Sequence, residues 1–93
     1  MLVKLISLYQ GINGGYVLKE IMINPKHIVM ISDEPSFKKR LEEGKLNLGL
    51  VPEVEFTRIT MADSPYQKEI VVVGSPHDIE SKIFQKSKQL LRG

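Results

Sequence analysis

Apolar positions along the chain come in short runs, and glycine, proline and asparagine separate them. Leu2–Leu8 (LVKLISL) is apolar and β-compatible and predicts a first strand. Gln10–Gly15 is turn-rich, and Asn13-Gly14 is a strong hairpin signal. Tyr16–Ile23 predicts the second strand, stopped at Asn24-Pro25-Lys26-His27 because proline cannot donate to a ladder. Ile28–Ile31 resumes as a third strand. Ser32–Ser36 then opens a short helix over about 34–43, with Ser32 or Asp33 as its cap, Phe37 and Leu41 as its apolar contacts and Gly44 as its stop. Lys45–Pro52 (KLNLGLVP) alternates and reads as an edge strand or an extended arm, paired within the chain or with a neighbour. Glu53–Ala62 alternates more cleanly, with Val54 and Phe56 on one face and Ile59 and Met61 on the other.

After a turn at Asp63–Tyr66, the most apolar run of the chain follows. Ile70, Val71, Val72 and Val73 are consecutive β-branched residues, which fit a pleated surface better than a helix. An unbroken run predicts a strand covered on both faces, or a central strand near an interface. Gly74 ends it, and Ser75-Pro76-His77-Asp78 reads as a helix start: Ser75 as N-cap, Pro76 in the first position, Asp78 closing the box. The helix runs over about 76–91. Its stripe is Ile79, Ile83 and Leu90, widened by Phe84 and Leu91, and Lys86, Lys88 and Arg92 sit in the last turns, where cations suit the helix dipole.

These elements predict an α+β fold in a single domain, 1–93: an antiparallel sheet of four or five strands, one inserted short helix, and a C-terminal helix packed on the sheet. Ile70, Val72, Ile79 and Ile83 are the expected core. Two stretches ask for more cover than one helix supplies: Leu46, Leu48, Leu50 and Val51, and the second face of Ile70–Val73. They predict association with a second copy of the chain.

Composition narrows the chemistry. The chain has 93 residues, 42% hydrophobic and 26% charged, which is ordinary for a water-soluble protein. A net charge of +2 does not by itself imply a polyanionic partner. Without cysteine there is no disulfide, thiolate nucleophile or thiolate-bound metal. MLVKLISLYQ is too short and wrongly flanked for a signal peptide, and no apolar run reaches spanning length, so the expected location is cytoplasmic.

Ile23-Asn24-Pro25…Ile28 and Glu69-Ile70-Val71-Val72…Ser75-Pro76…Ile79…Lys82-Ile83, with Asn13-Gly14 and Thr57…Ile59, resemble the FlbD family of small flagellar proteins. The resemblance covers roughly residues 1–31 and 56–92, and 33–55 has no counterpart in it. It rests on turn and cap signals. It implies a non-enzymatic protein that acts through contacts, and it carries over no catalytic residue.

Individual residues support binding more than catalysis. His27 and His77 are the only histidines, too thin a set for a metal site that needs three or four ligands. Ser75 beside His77 is explained by capping. Glu42, Glu43, Glu53 and Glu55 read as solvated faces, the last two on one face of a strand. Gln10–Gly15 lacks the ending of a phosphate-binding loop, yet glycine lets a ligand approach the backbone there. Lys38, Lys39, Arg40 and Lys45 form one basic cluster, and Lys82, Lys86, Lys88 and Arg92 another, with few aromatics interleaved for base stacking. The free N–H groups at Ser75–Asp78 suit an anion.

The expected function is a non-catalytic binding or regulatory protein acting as a homo-oligomer. The alternative is a phage-type sponge that sequesters a small anionic ligand, such as a nucleotide messenger, in a pocket between subunits. Lys38, Lys39, Arg40, Lys45, Tyr66, Ser75 and His77 are the candidate ligand-binding residues. No catalytic residue, metal or cofactor is expected. A protein partner is compatible with this reading; nucleic acid is less so.

Overall fold

The strand that carries Ile70–Val73 lies in the middle of the sheet. In the computed structural model, the backbone of residues 2–46, 48–50, 53–63 and 66–92 is described, with the side chains of all of these but 63, 66, 67 and 85–92. The order is β1 (Val3–Gln10), β2 (Tyr16–Ile23), a 3-10 turn (Pro25–His27), β3 (Ile28–Asp33), α1 (Pro35–Glu42), β4 (Phe56–Asp63), β5 (Tyr66–Val73) and α2 (Pro76–Arg92). The strands form one antiparallel sheet in the order β2-β1-β5-β4-β3. This is the small α+β fold that the patterning predicts, with an inserted helix and a C-terminal one.

The unbroken apolar run is explained by cover on both sides. Val72 joins Val3, Leu5, Ile23 and Ile59 around Ile79 of α2, with Ile70 and Ile83 packed at the margin. Val71 and Val73 point the other way, into a cluster of Leu8, Leu41, Leu46 and Phe56 that α1 and the segment after it close. The sheet is therefore sandwiched at its centre between two elements of the same chain. Leu46 is buried there, and Leu48 and Leu50 pack against the same cluster. Both grounds for predicting a second copy thus find their cover within one chain; Val51 lies outside the described residues.

Several boundaries differ from the sequence reading. β3 runs on to Asp33, which pairs with Thr57, so Ser32 and Asp33 are strand residues and not caps. Glu34 takes the cap position of α1 without capping it: its carboxylate is drawn instead to Ser36 and Arg58. The register of β3 against β4 slips between Ile28 and Met30, a bulge at Val29. β4 starts at Phe56, so Glu53 and Glu55 precede it rather than sharing a strand face. Val54 and Phe56 still reach the α1 side, and Ile59 and Met61 the α2 side. Lys45 to Leu50 contains no strand among the described residues.

In α2, Ser75 Oγ accepts from Asp78 N at 3.1 Å, the predicted cap. Phe84 does not widen the buried stripe, because it is 63% exposed. Of the predicted core, Val72 and Ile79 are fully buried, whereas Ile70 and Ile83 are half-buried. The side chains of Lys86, Lys88, Leu90, Leu91 and Arg92 lie outside the described residues. No helix among the described residues is long and apolar enough to cross a membrane.

Candidate functional site

Two chain reversals meet beside the first hairpin. The β1–β2 loop is closed by hydrogen bonds from Gly11 N to Gly15 O (2.7 Å) and from Gly14 N to Gly11 O (3.0 Å). Gly14 has φ 84°, which a side chain disfavours, and Asn13 Oδ1 accepts from Gly15 N at 3.1 Å. The next residue, Tyr16, sets its ring edge-on to Phe37 of α1, with centroids 5.4 Å apart. Phe37 also meets Phe56. This aromatic contact docks α1 against the glycine loop.

The end of α1 supplies the charge. Gly44, at φ 73°, takes the left-handed position that stops the helix. Gly44 N donates to Leu41 O (3.2 Å) and Lys45 N to Arg40 O (2.9 Å). That pair of bonds is the Schellman ending, which sets the residue after the glycine beside the third-last helical residue. An apolar contact usually fills those two positions. Here they are Lys45 and Arg40. Both border a hollow of about 380 Å³, with Gly14, Gly15, Tyr16 and Leu46 as its other walls. The Arg40 guanidinium lies over the Phe37 ring at 5.3 Å, and the Lys45 ammonium stands 3.8 Å from the exposed Glu43 carboxylate, a weak surface pair. The carbonyl end of α1 attracts cations and lowers the cost of placing them there.

The other predicted site residues are spread out. Lys38 pairs with Glu55 at 3.6 Å, and Lys39 is exposed. Neither lines the hollow. Ser75 is engaged in its cap and His77 is exposed on the first turn of α2. The Tyr66 side chain lies outside the described residues. The tyrosine that does line the hollow is Tyr16, and its signal in the sequence was its place directly after the glycine pair. The spacing Arg40-x3-Gly44-Lys45 was the second readable signal.

A separate ionic cluster is a fastening. Arg58 Nε donates to Glu34 Oε2 at 2.6 Å, and its Nη1 reaches Glu69 on β5. The Ser36 hydroxyl, donating at 2.6 Å, holds the Glu34 carboxyl below its ordinary pKa, and Arg58 lowers it further, against burial, which raises it. Glu34, followed by Glu69, in turn raises the pKa of Arg58. The cluster ties the start of α1 to β4 and β5. Among the described residues, no three His, Asp or Glu side chains gather as metal ligands would.

No family model matches this chain, and no curated protein or solved structure matches it either.

Proposed function

We propose that this chain is a non-catalytic binding protein that takes a small anionic ligand between the glycine turn and the end of α1. The observation that carries the reading is the pair of cations, Arg40 and Lys45, in the two positions a helix ending of this type brings together. Two cations that border one hollow give a phosphate or carboxylate there two opposite charges to meet. Arg40 offers a planar fork for an oxyanion and Lys45 a point charge. The glycines leave the backbone approachable, and Tyr16 offers a hydroxyl or a ring face. The hollow falls within the usual range for small-molecule sites, about 300–1,000 Å³. A nucleotide messenger, with phosphate and base together, is the ligand class the sequestering reading favours. The pocket forms within one chain and needs no second subunit.

Homo-oligomerisation belongs to the same proposal, on grounds other than Leu46–Leu50. Met22 lies across from Lys4, which Leu2 and Ile6 flank on the same face of β1, and all three apolar side chains are exposed. The Lys4–Glu20 ion pair, at 3.1 Å, lies among them. β2 is moreover an outer strand of the sheet, and an outer strand is a template for pairing. A cytoplasmic site of action and the contact-based role implied by the FlbD-like turn and cap residues complete the reading.

Thermal-shift and calorimetric titration with inorganic phosphate, ATP, a cyclic dinucleotide and citrate tests the pocket. A member of the panel should stabilise the wild type, and Arg40→Ala with Lys45→Ala should abolish that shift without lowering the unliganded melting temperature. A shift that survives the double substitution, or no binding from any member, overturns the assignment. Sedimentation of wild type against Met22→Lys tests the oligomer; a wild type monomeric at every concentration refutes it.

A further inference from the structure

The sheet is two hairpins, β1–β2 and β4–β5, joined at a narrow seam, with β3 added on the outer side of β4. β1 and β2 pair at eight successive positions, and so do β4 and β5. β1 and β5 pair at only two, Ser7 with Val72 and Leu8 with Val71. Past Leu8 the strands part, and a cleft of about 740 Å³ opens between the hairpins. Among the described residues, it shares no charged residue with the hollow at the glycine turn.

The walls of the cleft are mostly apolar, and among the described residues its charged side chains are biased to one sign. Ile21 on the first hairpin, with Met61 and Ile70 on the second, lines it with half-buried side chains. Lys19, Lys68 and His27 are exposed at its border. Register places the two lysines on one side of the sheet. Lys19 is paired with Ser7, which also pairs with Val72, a residue facing α2. Lys68 is paired with Met61, which packs toward α2 as well. Lys19 on β2 and Lys68 on β5 thus line the cleft from opposite hairpins. Among the described residues, the one carboxylate in the lining, Glu69, is already engaged by Arg58. Lys19 is oriented over the Tyr9 ring, 5.6 Å from its centroid.

We infer that this cleft binds an anionic amphiphile: a hydrocarbon or aromatic body against Ile21, Met61 and Ile70, and a carboxylate or phosphate head between Lys19 and Lys68. Charge complementarity selects the sign of the head, and apolar walls reward a body that a bare anion lacks. A neutral apolar molecule leaves the lysines unpaired, and a cationic one meets them as like charges. The lining serves a free acyl or aryl acid and a lipid monoester equally, because the recognised groups are the same.

Dodecyl phosphate below its micelle concentration is the probe, with dodecyltrimethylammonium and inorganic phosphate beside it. Calorimetry should show saturable binding of dodecyl phosphate, no binding of the cation, and at least tenfold weaker binding of inorganic phosphate. Lys19→Glu with Lys68→Glu should weaken dodecyl phosphate at least tenfold. Both lysines are exposed, so the variant should keep the wild-type circular dichroism and melting curve. Arg40→Ala with Lys45→Ala should leave the binding unchanged, which separates this site from the pocket at the glycine turn. Amide shifts on titration should centre on Tyr9, Lys19, Lys68 and Ile70. Equal binding of the two head groups, unchanged affinity in the Lys19/Lys68 variant, or shifts confined to the glycine turn would each overturn the assignment. Flotation with phosphatidylglycerol vesicles distinguishes the source. Binding both to vesicles and to monomeric dodecyl phosphate, lost together in the Lys19/Lys68 variant, assigns a lipid; binding to the monomer alone assigns a free acid; binding to vesicles alone refutes the cleft.

Discussion

Gly74→Ala puts the joint between β5 and α2 to the test. Gly74 has φ 126°, outside the regions open to residues with a side chain. The backbone there is pinned from both sides: Gly74 N donates to Glu55 O at 2.8 Å, and Gly74 O accepts from Thr57 Oγ1 at 2.7 Å. Holding an alanine in that conformation costs about 1–3 kcal/mol. The new methyl would also sit 3.1 Å from Ile79 Cδ1, in the fully buried centre of the α2 cluster. Forcing that side chain off its rotamer adds about 0.5–1.5 kcal/mol. The expected loss is therefore about 3 kcal/mol, roughly 12–24 °C in melting temperature for a domain of this size. Gly44→Ala is the control, since its φ is 73° and nothing stands within 4 Å of the added carbon. It should cost about 1–2 kcal/mol from the backbone alone. Urea unfolding followed by circular dichroism measures both. Ile79→Val supplies the closing leg, because it removes the carbon that the new methyl meets. It should cost less in the Gly74→Ala background than in wild type, a positive coupling in the double-mutant cycle. Equal losses for Gly74→Ala and Gly44→Ala, with no coupling to Ile79→Val, would mean that α2 does not pack against the end of β5.

Four further outcomes follow from the packing and the ion pairs. Ile79→Ala should cost about 2–5 kcal/mol, as a large-to-small change in a core does, while the half-buried Ile83→Ala costs less; the reverse order in chemical unfolding would shift the contact face of α2. Ser75→Ala should lose about 1 kcal/mol through its cap and leave phosphate-ligand affinity unchanged, and a loss of affinity at constant stability would make Ser75 a binding residue. Thr60 has a buried hydroxyl with no partner among the described residues, so Thr60→Val should raise the unfolding free energy by about 1 kcal/mol; a lower unfolding free energy would reveal a partner for that oxygen. Because the Glu34 carboxyl is held below its ordinary value in the folded chain, its contribution is present at neutral pH and is lost as pH falls below about 5 and through the folded value. Glu34→Gln should flatten that acid limb, and parallel stability–pH curves for the two proteins would show that Glu34 does not govern it.

The elements that a few neighbouring residues determine are legible in the sequence. The Ser75-Pro76-x-Asp78 start, the Asn13-Gly14 reversal and the second strand at Tyr16–Ile23 all come out where local chemistry places them. The unbroken run at Ile70–Val73 correctly foretells cover on both faces. What covers the second face is not legible, because it depends on where α1 lands, and Tyr16 meeting Phe37 decides that across 21 residues of sequence. The same long-range contact explains the partial reading of the site. Arg40 and Lys45 stand out by charge, but only the helix ending sets them together, and only the docked hairpin gives them glycine and Tyr16 as neighbours. Ser75 and His77, adjacent to a helix start in sequence, are elsewhere in the fold. The cleft leaves no trace in patterning, since it arises from strands that fail to pair rather than from any residue type.

The position of β5 also sets the order in which the molecule can be assembled. It is the last strand in the chain, yet it lies between β1 and β4. Until it is made, β1–β2 and β3–β4 are separate ladders with no strand pairing between them. A chain growing from the ribosome therefore holds Val3, Leu5 and Leu8 on an open hairpin, complete at Ile23, while about fifty more residues are added, to Val73. Its completion is one late, long-range event, which slows folding relative to a sheet of consecutive hairpins. Nascent chains cut just before β5 should expose a sticky pair of ladders to protease and chaperone, and chains that extend through α2 should not.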